Sequence, residues 1–460
     1  MNVAQVMQTA LAGGMLVALS LAGPAAVEKA AGPLRVHPTN PRYFADGSGK
    51  VVYLTGSHTW TNFQDGGWPR NVRLFDYKAY LGFLQAHKHN FIRLWTPETA
   101  ANHLEDGTWA FVDPVPYLRT GPGEALDGRP KFDLSRLNQA YFDRLRQRVI
   151  AAGDRGIYVS VMLFDVWGVG GYDNRGAWQG HPYHAQNNVN GVNGDPDGDG
   201  KGLESHTLRV PAITALQRAY VQKVVDTVND LDNVLYEICN EDNAPGNVEW
   251  QYGMINYIKT YEAGKPKQHP VGMTIEMTGV NGALFSSPAD WVSPNYGEDL
   301  APVTGDKVVI YDTDHIWGEG GDQRWVWKTF TRGGNPIYMD RIAAVTAFPE
   351  GDLPVFESAR RAMGHTRTMA DKVNLADMVP RNDLASTQYC LANAGQEYLV
   401  YLPDGGEVTV DLSAATGELA VEWMHPVEGT ITPGEAVAAG GKRAFRAPSN
   451  GDAVLHVWRR

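Results

Sequence analysis

Apolar positions recur along this chain with two different periods. Short runs rich in β-branched and aromatic residues occupy 50–56, 90–96, 156–164, 234–240, 270–276, 291–295, 307–312 and 336–340. Each has the length of a strand buried on both faces. Between them lie longer stretches where apolar residues return every three or four positions, as at Phe75, Ala79, Phe83 and Ala86. That spacing predicts helices over 75–87, 137–152, 212–229, 249–261, 323–331 and 353–373. Strands alternating with helices predict a parallel sheet with crossover helices. Eight such units in about 330 residues fit a (β/α)8 barrel over 32–382. An open doubly wound sheet would want a glycine-rich phosphate turn after the first strand, and TGSHTW has no GxGxxG.

Beyond 383 the helical period stops. Short alternating segments at 388–392, 397–402, 407–412, 419–424 and 453–458 are separated by turns such as PDGG and APSNGD. They predict a small antiparallel β-sandwich over 383–460. At the other end, 10–23 is an apolar run followed by Pro24, Ala25 and Ala26. It is too short for a bilayer span and reads as the core of a signal peptide covering 1–31. The first nine residues carry no Lys or Arg, which departs from that pattern. The expectation is a protein that is secreted or periplasmic, with no membrane attachment once the peptide is removed.

Composition narrows the classes. Forty Lys and Arg against 52 Asp and Glu give a net charge of −12, which argues against nucleic acid and anionic membranes as partners. The two cysteines, Cys239 and Cys390, exclude both a disulfide scaffold and a four-cysteine zinc site. Thirteen Trp and 20 Tyr supply flat apolar faces with polar edges.

In a barrel of this kind chemistry gathers at the C-terminal ends of the strands. There the fourth strand delivers Asn240 and Glu241, and a carboxyl group partly withdrawn from water suits general-acid work. The seventh strand delivers Asp312 and Asp314, on one face by strand alternation, with His315 and Trp317 behind them. Two carboxylates flanking one bond are what glycoside hydrolysis needs. The bland readings are a capping Glu and helix-capping Asp residues. Candidate sugar contacts at the other strand ends are His58, Trp60, Asn62, Arg93, Trp95, Asp165, Trp167, Glu276, Asn295 and Tyr296. Any single Trp among them could equally be core.

The segments PRYFADGSGKVVYLTGSHTW, NFIRLW, VLYEICNED, VVIYDTDHIWG and STQYCLAN…YLVYLPDGG carry a resemblance. From about Pro33 to Arg460 the chain resembles the clan of retaining (β/α)8 glycoside hydrolases with an Asn-Glu acid/base on strand four. More narrowly, it looks like secreted bacterial cellulase-like and apiosidase-like relatives that end in a small β-domain labelled collagen-binding. The resemblance implies Glu241 as acid/base, Asp314 as nucleophile, Arg93 and Tyr296 orienting the nucleophile, and an oligosaccharide, polysaccharide or other glycoside as substrate. Most of that clan uses Glu as nucleophile where this chain has Asp. A rival reading is an inactive barrel that binds carbohydrate or matrix, and another is a lyase or isomerase, which no His-rich ligand spacing supports.

The chemistry calls for no cofactor and no catalytic metal. One loop, NGDPDGDGKGLE at 193–204, matches a calcium-loop pattern, with Asn193, Asp195 and Asp197 at positions one, three and five, Gly198 at six and Glu204 at twelve. Gly200 stands where an apolar residue usually packs, and no flanking helix pair is evident. The alternative is a glycine-rich acidic turn. Sugar, linkage and oligomeric state are not legible.

Overall fold

The computed structural model describes residues 28–60, 62–66, 74–96, 98–242, 244–274, 281–295, 303–342 and 356–460. Eight parallel strands form one sheet: β1 (Gly56–His58), β2 (Phe91–Trp95), β3 (Tyr158–Asp165), β4 (Val234–Asn240), β5 (Val271–Thr274), β6 (Trp291–Ser293), β7 (Val308–Asp312) and β8 (Asn335–Met339). Their order is β1-β8-β7-β6-β5-β4-β3-β2. The two edge strands lie side by side, so the sheet is nearly closed. Asn90 ties the seam: its N–H donates to the Thr55 carbonyl at 2.9 Å and its Oδ1 accepts from the Thr55 N–H at 3.0 Å.

The outer ring is α1 (Tyr77–Ala86), α2 (Gln139–Gly153), α3 (Pro211–Val228), α4 (Asn247–Glu262), α5 (Asn281–Ser286), α6 (Gln323–Thr331) and α7 (Glu357–Lys372). Local chemistry starts several of these helices. Asp76, Asn138 and Asp322 cap α1, α2 and α6 by accepting from the N–H groups of Ala79, Ala140 and Trp325. Pro211 opens α3, where its missing N–H costs nothing.

The first expected strand divides into two elements. Val51–Val52 pairs antiparallel with Phe44–Ala45, which pairs with Arg35–Val36, and the barrel strand begins only at Gly56. This small sheet closes the barrel floor, where Leu34, Phe44 and Leu54 pack with Phe91, Tyr158, Leu235, Trp291, Val308, Ile310 and Ile337. Gly272 on β5 makes room for that packing. A Cβ there would lie 1.9 Å from the Trp291 ring, so the indole can cross the floor only above a glycine.

Two insertions were not expected from the periodicity. Trp109–Asp113 pairs with Ala101–His103 and with Asp65–Gly66, and a hairpin joins Tyr117–Glu124 to Pro130–Leu137 around Asp127 and Gly128.

The C-terminal domain is antiparallel. Its strands are β9 (Cys390–Asn393), β10 (Glu397–Leu402), β11 (Glu407–Asp411), β12 (Glu418–Met424), β13 (Lys442–Arg446) and β14 (Ala453–Arg459). One sheet runs β9-β10-β14-β12, extended at the β9 edge by Val379–Pro380, so the domain begins slightly ahead of 383. The second sheet is β11 with β13. Val408, Val410 and Phe445 of the small sheet pack on Tyr398, Val400, Leu419 and Leu455 of the large one. The domain docks on α6 and α7. The Trp327 indole N–H donates to the Pro426 carbonyl at 3.2 Å, its ring stacks at 6.3 Å on Tyr401, and His365 bonds the Val427 carbonyl at 3.0 Å.

Candidate active site

At the C-terminal end of the barrel, one arginine ties together the ends of three strands, β2, β4 and β7. Arg93, inward on β2 and 1% exposed, directs its Nε to Glu237 Oε2 at 2.9 Å and its Nη1 to Asp312 Oδ2 at 2.7 Å. Its Nη2 donates to Glu237 Oε1 and, at 2.6 Å, to Asn240 Oδ1. A longer contact of 3.4 Å reaches Asp314 Oδ2. A buried guanidinium facing carboxylates on two sides in this way fixes them in register.

Asp312 is saturated. His58 Nε2 donates to its Oδ1 at 2.9 Å, and the N–H of Asp314 donates to the same oxygen at 3.0 Å. The tautomer of His58 follows from its other nitrogen. The Trp95 indole N–H, which can only donate, points at His58 Nδ1 at 3.1 Å. With Nδ1 accepting from Trp95, the proton that His58 gives to Asp312 is on Nε2. Burial alone would raise the Asp312 carboxyl, yet His58 and Arg93 outweigh it and hold the group below the ordinary carboxylate range.

Asn240 is oriented just as firmly. Its Oδ1 accepts from Arg93 and, at 3.0 Å, from His315 Nε2, while the Ser293 hydroxyl donates to His315 Nδ1 at 2.7 Å. Burial and the Arg93 charge push His315 down to about 3, so the ring is neutral. Both acceptor sites of the Asn240 oxygen are thus used.

Three carboxyls at the mouth are not compensated. Glu241 follows β4 with φ of 49°, a left-handed conformation that costs a non-glycine residue of order 1–3 kcal/mol. Burial, and then the charges of Asp314 and Asp165, push it up to about 9. Asp314 lies in the single helical turn Thr313–His315 after β7, and burial with the neighbouring Asp312 charge pushes it up to about 6. Asp165 at the end of β3 is pushed up to about 7, chiefly by burial, although the Trp167 N–H donates to it at 3.2 Å.

The remaining candidates divide between mouth and support. Trp60 and Trp317 are half-buried and Trp167 is 38% exposed, so their rings are partly open at the rim. Trp95 is buried and stacks at 6.0 Å on His58. Asn62 lies beneath the site, because its Nδ2 donates to the Arg93 carbonyl at 2.7 Å and its Oδ1 accepts from the Trp95 N–H at 2.9 Å. Both ends of its amide thus serve the β2 backbone. Asn295 is half-buried, its backbone held by Asn281. Glu276 and Tyr296 lie outside the described residues.

Two participants were missed by the sequence reading. Glu237 is a fully buried charge inside the apolar run VLYEICN, and a carboxylate there requires a cation across the barrel. His206 is signalled by nothing local. It stacks on Trp250 at 4.7 Å, lies 3.7 Å from Cys239 Sγ and 3.1 Å from Asp242 Oδ2, and so backs the residues on either side of Asn240 and Glu241.

Among the described residues, three sets of side chains have donor atoms within 4.8 Å of one another: Asp312, Asp314 and His315; His206, Cys239 and Asp242; and Asp195, Asp197 and Glu204. In the first, Arg93 already supplies the positive charge and both His315 nitrogens are engaged. The second has three donors, one short of a closed tetrahedral zinc shell.

Residues 89–290 match the family described as a domain of unknown function, DUF6298. Residues 376–457 match the family described as "Putative collagen-binding domain of a collagenase". No curated protein matches the chain. Among solved structures, the fold is similar to a glycoside hydrolase family 5 protein from Bacteroides vulgatus ATCC 8482, with a TM-score of 0.63 and 14% identity over 94% of this chain and 95% of that one. It is also similar to a protein titled glycoside hydrolase, with a TM-score of 0.59 and 14% identity over 93% of this chain and 97% of the other. At such identities the likeness is one of fold, barrel and terminal sheet domain together. Among the described residues, no helix is long and apolar enough to cross a membrane.

Proposed function

We propose that the chain is a secreted glycoside hydrolase acting by a retaining double displacement. Glu241 gives its proton to the leaving glycosidic oxygen while a carboxylate oxygen of Asp314 attacks the anomeric carbon. Glu241, now ionised, then takes a proton from the water that displaces Asp314 from the glycosyl-enzyme. Asp312 and Arg93 hold Asp314 in place, the Asn240 amide faces a sugar hydroxyl, and Trp60, Trp167 and Trp317 offer ring faces to the sugar. The observation that carries this reading is the split between two neighbouring carboxyls. Arg93 lies against Asp314 and favours its ionised form, and the Asp314 charge, added to burial, raises Glu241 and keeps its proton on. A pair divided in this way holds one acid and one nucleophile at neutral pH.

The test is turnover of a panel of aryl glycosides and plant and bacterial polysaccharides by the wild type and by Glu241→Ala. The proposal expects the variant to fail on poor leaving groups, to retain activity on activated aryl glycosides and to be rescued by azide. Unchanged turnover on a natural substrate would remove Glu241 from the reaction.

The match over 376–457 favours a second reading, an inactive barrel that binds carbohydrate or matrix. Retention on immobilised collagen or polysaccharide, with no hydrolysis across the panel, would support it.

A further inference from the structure

We propose that the insertion between β3 and α3 holds one calcium ion among Asp195, Asp197 and Glu204, in a loop whose first ligand is Asp195. The segment DPDGDG places carboxylates at 195, 197 and 199 and a glycine at 200. Oxygens at alternate positions followed by a glycine turn let a chain wrap one hard cation. The fold shifts the register expected from the spacing alone. The Gly200 N–H donates to Asp195 Oδ2 at 3.0 Å and the Gly198 N–H to Asp195 Oδ1 at 3.1 Å, so the loop curls around the Asp195 carboxylate. Asn193 instead closes a turn of its own: its Oδ1 accepts from the Asp195 N–H at 3.0 Å and its Nδ2 donates to the Asp195 carbonyl at 3.1 Å. Glu204 then stands ten positions into the loop rather than twelve.

Carboxylate oxygens of Asp195, Asp197 and Glu204 converge within 4.8 Å of one another. An acidic cluster alone would prove little, but Glu204 adds an independent observation. It is only 8% exposed, and its Oε2 is buried without a hydrogen-bond partner. An orphaned carboxylate oxygen facing two more carboxylates lacks a cation. The nearby cations are used elsewhere. Lys201 and Arg175 pair with Asp173 at 3.5 and 3.1 Å, Arg175 also donates to the Asp199 carbonyl, and Arg209 donates to the Pro245 carbonyl at 3.2 Å.

The ion would matter beyond its loop. Glu204 lies in the helical turn Leu203–His206, and His206 packs behind Cys239 and Asp242. Anchoring that turn steadies the end of β4 without entering the chemistry, so the site stands whether or not the barrel hydrolyses glycosides.

Calorimetric titration of the chelator-stripped full chain with CaCl2, and separately with MgCl2, tests the proposal. One calcium per chain is expected, bound more tightly than magnesium, with a rise in melting temperature. Asp197→Asn, at an exposed position, and Glu204→Gln should each weaken binding about tenfold or more, and Asn193→Ala should leave it unchanged. No heat and no melting shift for the wild type at millimolar calcium would overturn the site. So would undiminished binding in the Asp197→Asn variant, and magnesium binding as tightly as calcium would overturn the choice of ion. A loss in Asn193→Ala equal to that in Asp197→Asn would return the register to Asn193.

Discussion

Two buried polar networks in this molecule are built from the same residue types and behave in opposite ways. Where the sandwich docks on the barrel, His456 on β14 bonds Glu422 at 2.9 Å and Glu397 at 2.8 Å, and Lys372 of α7 pairs with Glu422. Burial alone would lower His456, but its hydrogen bonds to the two carboxylates outweigh burial and raise it. Against the same penalty, His456 and Lys372 hold Glu422 down. Two cations meet two carboxylates and nothing is left over. At the barrel mouth Arg93 faces Glu237 and Asp312, and Asp314, Asp165 and Glu241 remain with too little positive charge. The balanced network fastens two domains. The unbalanced one keeps protons on groups that would otherwise lose them, which is the raw material of acid–base chemistry.

The largest effects expected are kinetic and confined to the mouth. Asp314→Asn should abolish turnover on every substrate, activated or not, by on the order of 10⁴-fold or more, because no covalent intermediate can form. Asp312→Asn should weaken activity and leave a remnant, since Asp312 acts through its neighbours. Steady-state kinetics on one activated and one natural substrate separates the two.

The next effect is on stability. Arg93→Met leaves Glu237 as a buried carboxyl without its cation and Asp312 with His58 alone, and should cost about 3–5 kcal/mol in denaturant unfolding. A cost below about 1 kcal/mol would mean that the mouth is wetter than its burial implies.

At the docking network, His456→Gln should cost about 2 kcal/mol while kcat/KM stays unchanged. Its sign with pH is fixed. The folded-state value of His456 lies above the ordinary 6.5, so its contribution is complete below about 6.5 and is lost as pH rises through the raised value. The melting-temperature gap between wild type and variant should shrink as pH rises above about 6.5. A gap that widened would contradict the charge assignment.

Smallest in size, though diagnostic, is the activity profile. Burial and like charge raise both Asp314 and Glu241, so kcat/KM should be bell-shaped, with both limbs above the ordinary carboxylate range. The alkaline limb should vanish in Glu241→Ala with azide present.

The barrel was legible because its buried strands and amphipathic helices differ in period, and because capping residues such as Asp322 sit where helix α6 starts. The division of the first strand was not, since Val52 and Leu54 serve the floor with the same apolar chemistry that a barrel strand would show. Strand ends pointed to Asn240, Glu241, Asp312 and Asp314 because polar residues after an apolar run have few other uses. Burial distinguishes mouth from support, and sequence does not carry it. Asn62 and Trp167 look alike as candidates, yet one is spent on backbone and the other is partly open. Glu237 could have been found by asking what neutralises a carboxylate inside VLYEICN. His206 could not, because its partners are more than thirty positions away.

The account rests on which carboxylate attacks, and one experiment addresses that directly. The sugar identified by the aryl-glycoside panel is supplied as its 2-deoxy-2-fluoro glycoside with an activated leaving group, and the trapped protein is digested and sequenced by mass spectrometry. The account predicts a single glycosyl adduct on Asp314, formed at a rate that falls away as the carboxylate is protonated at acid pH. An adduct on Asp312 or Glu276 would contradict it.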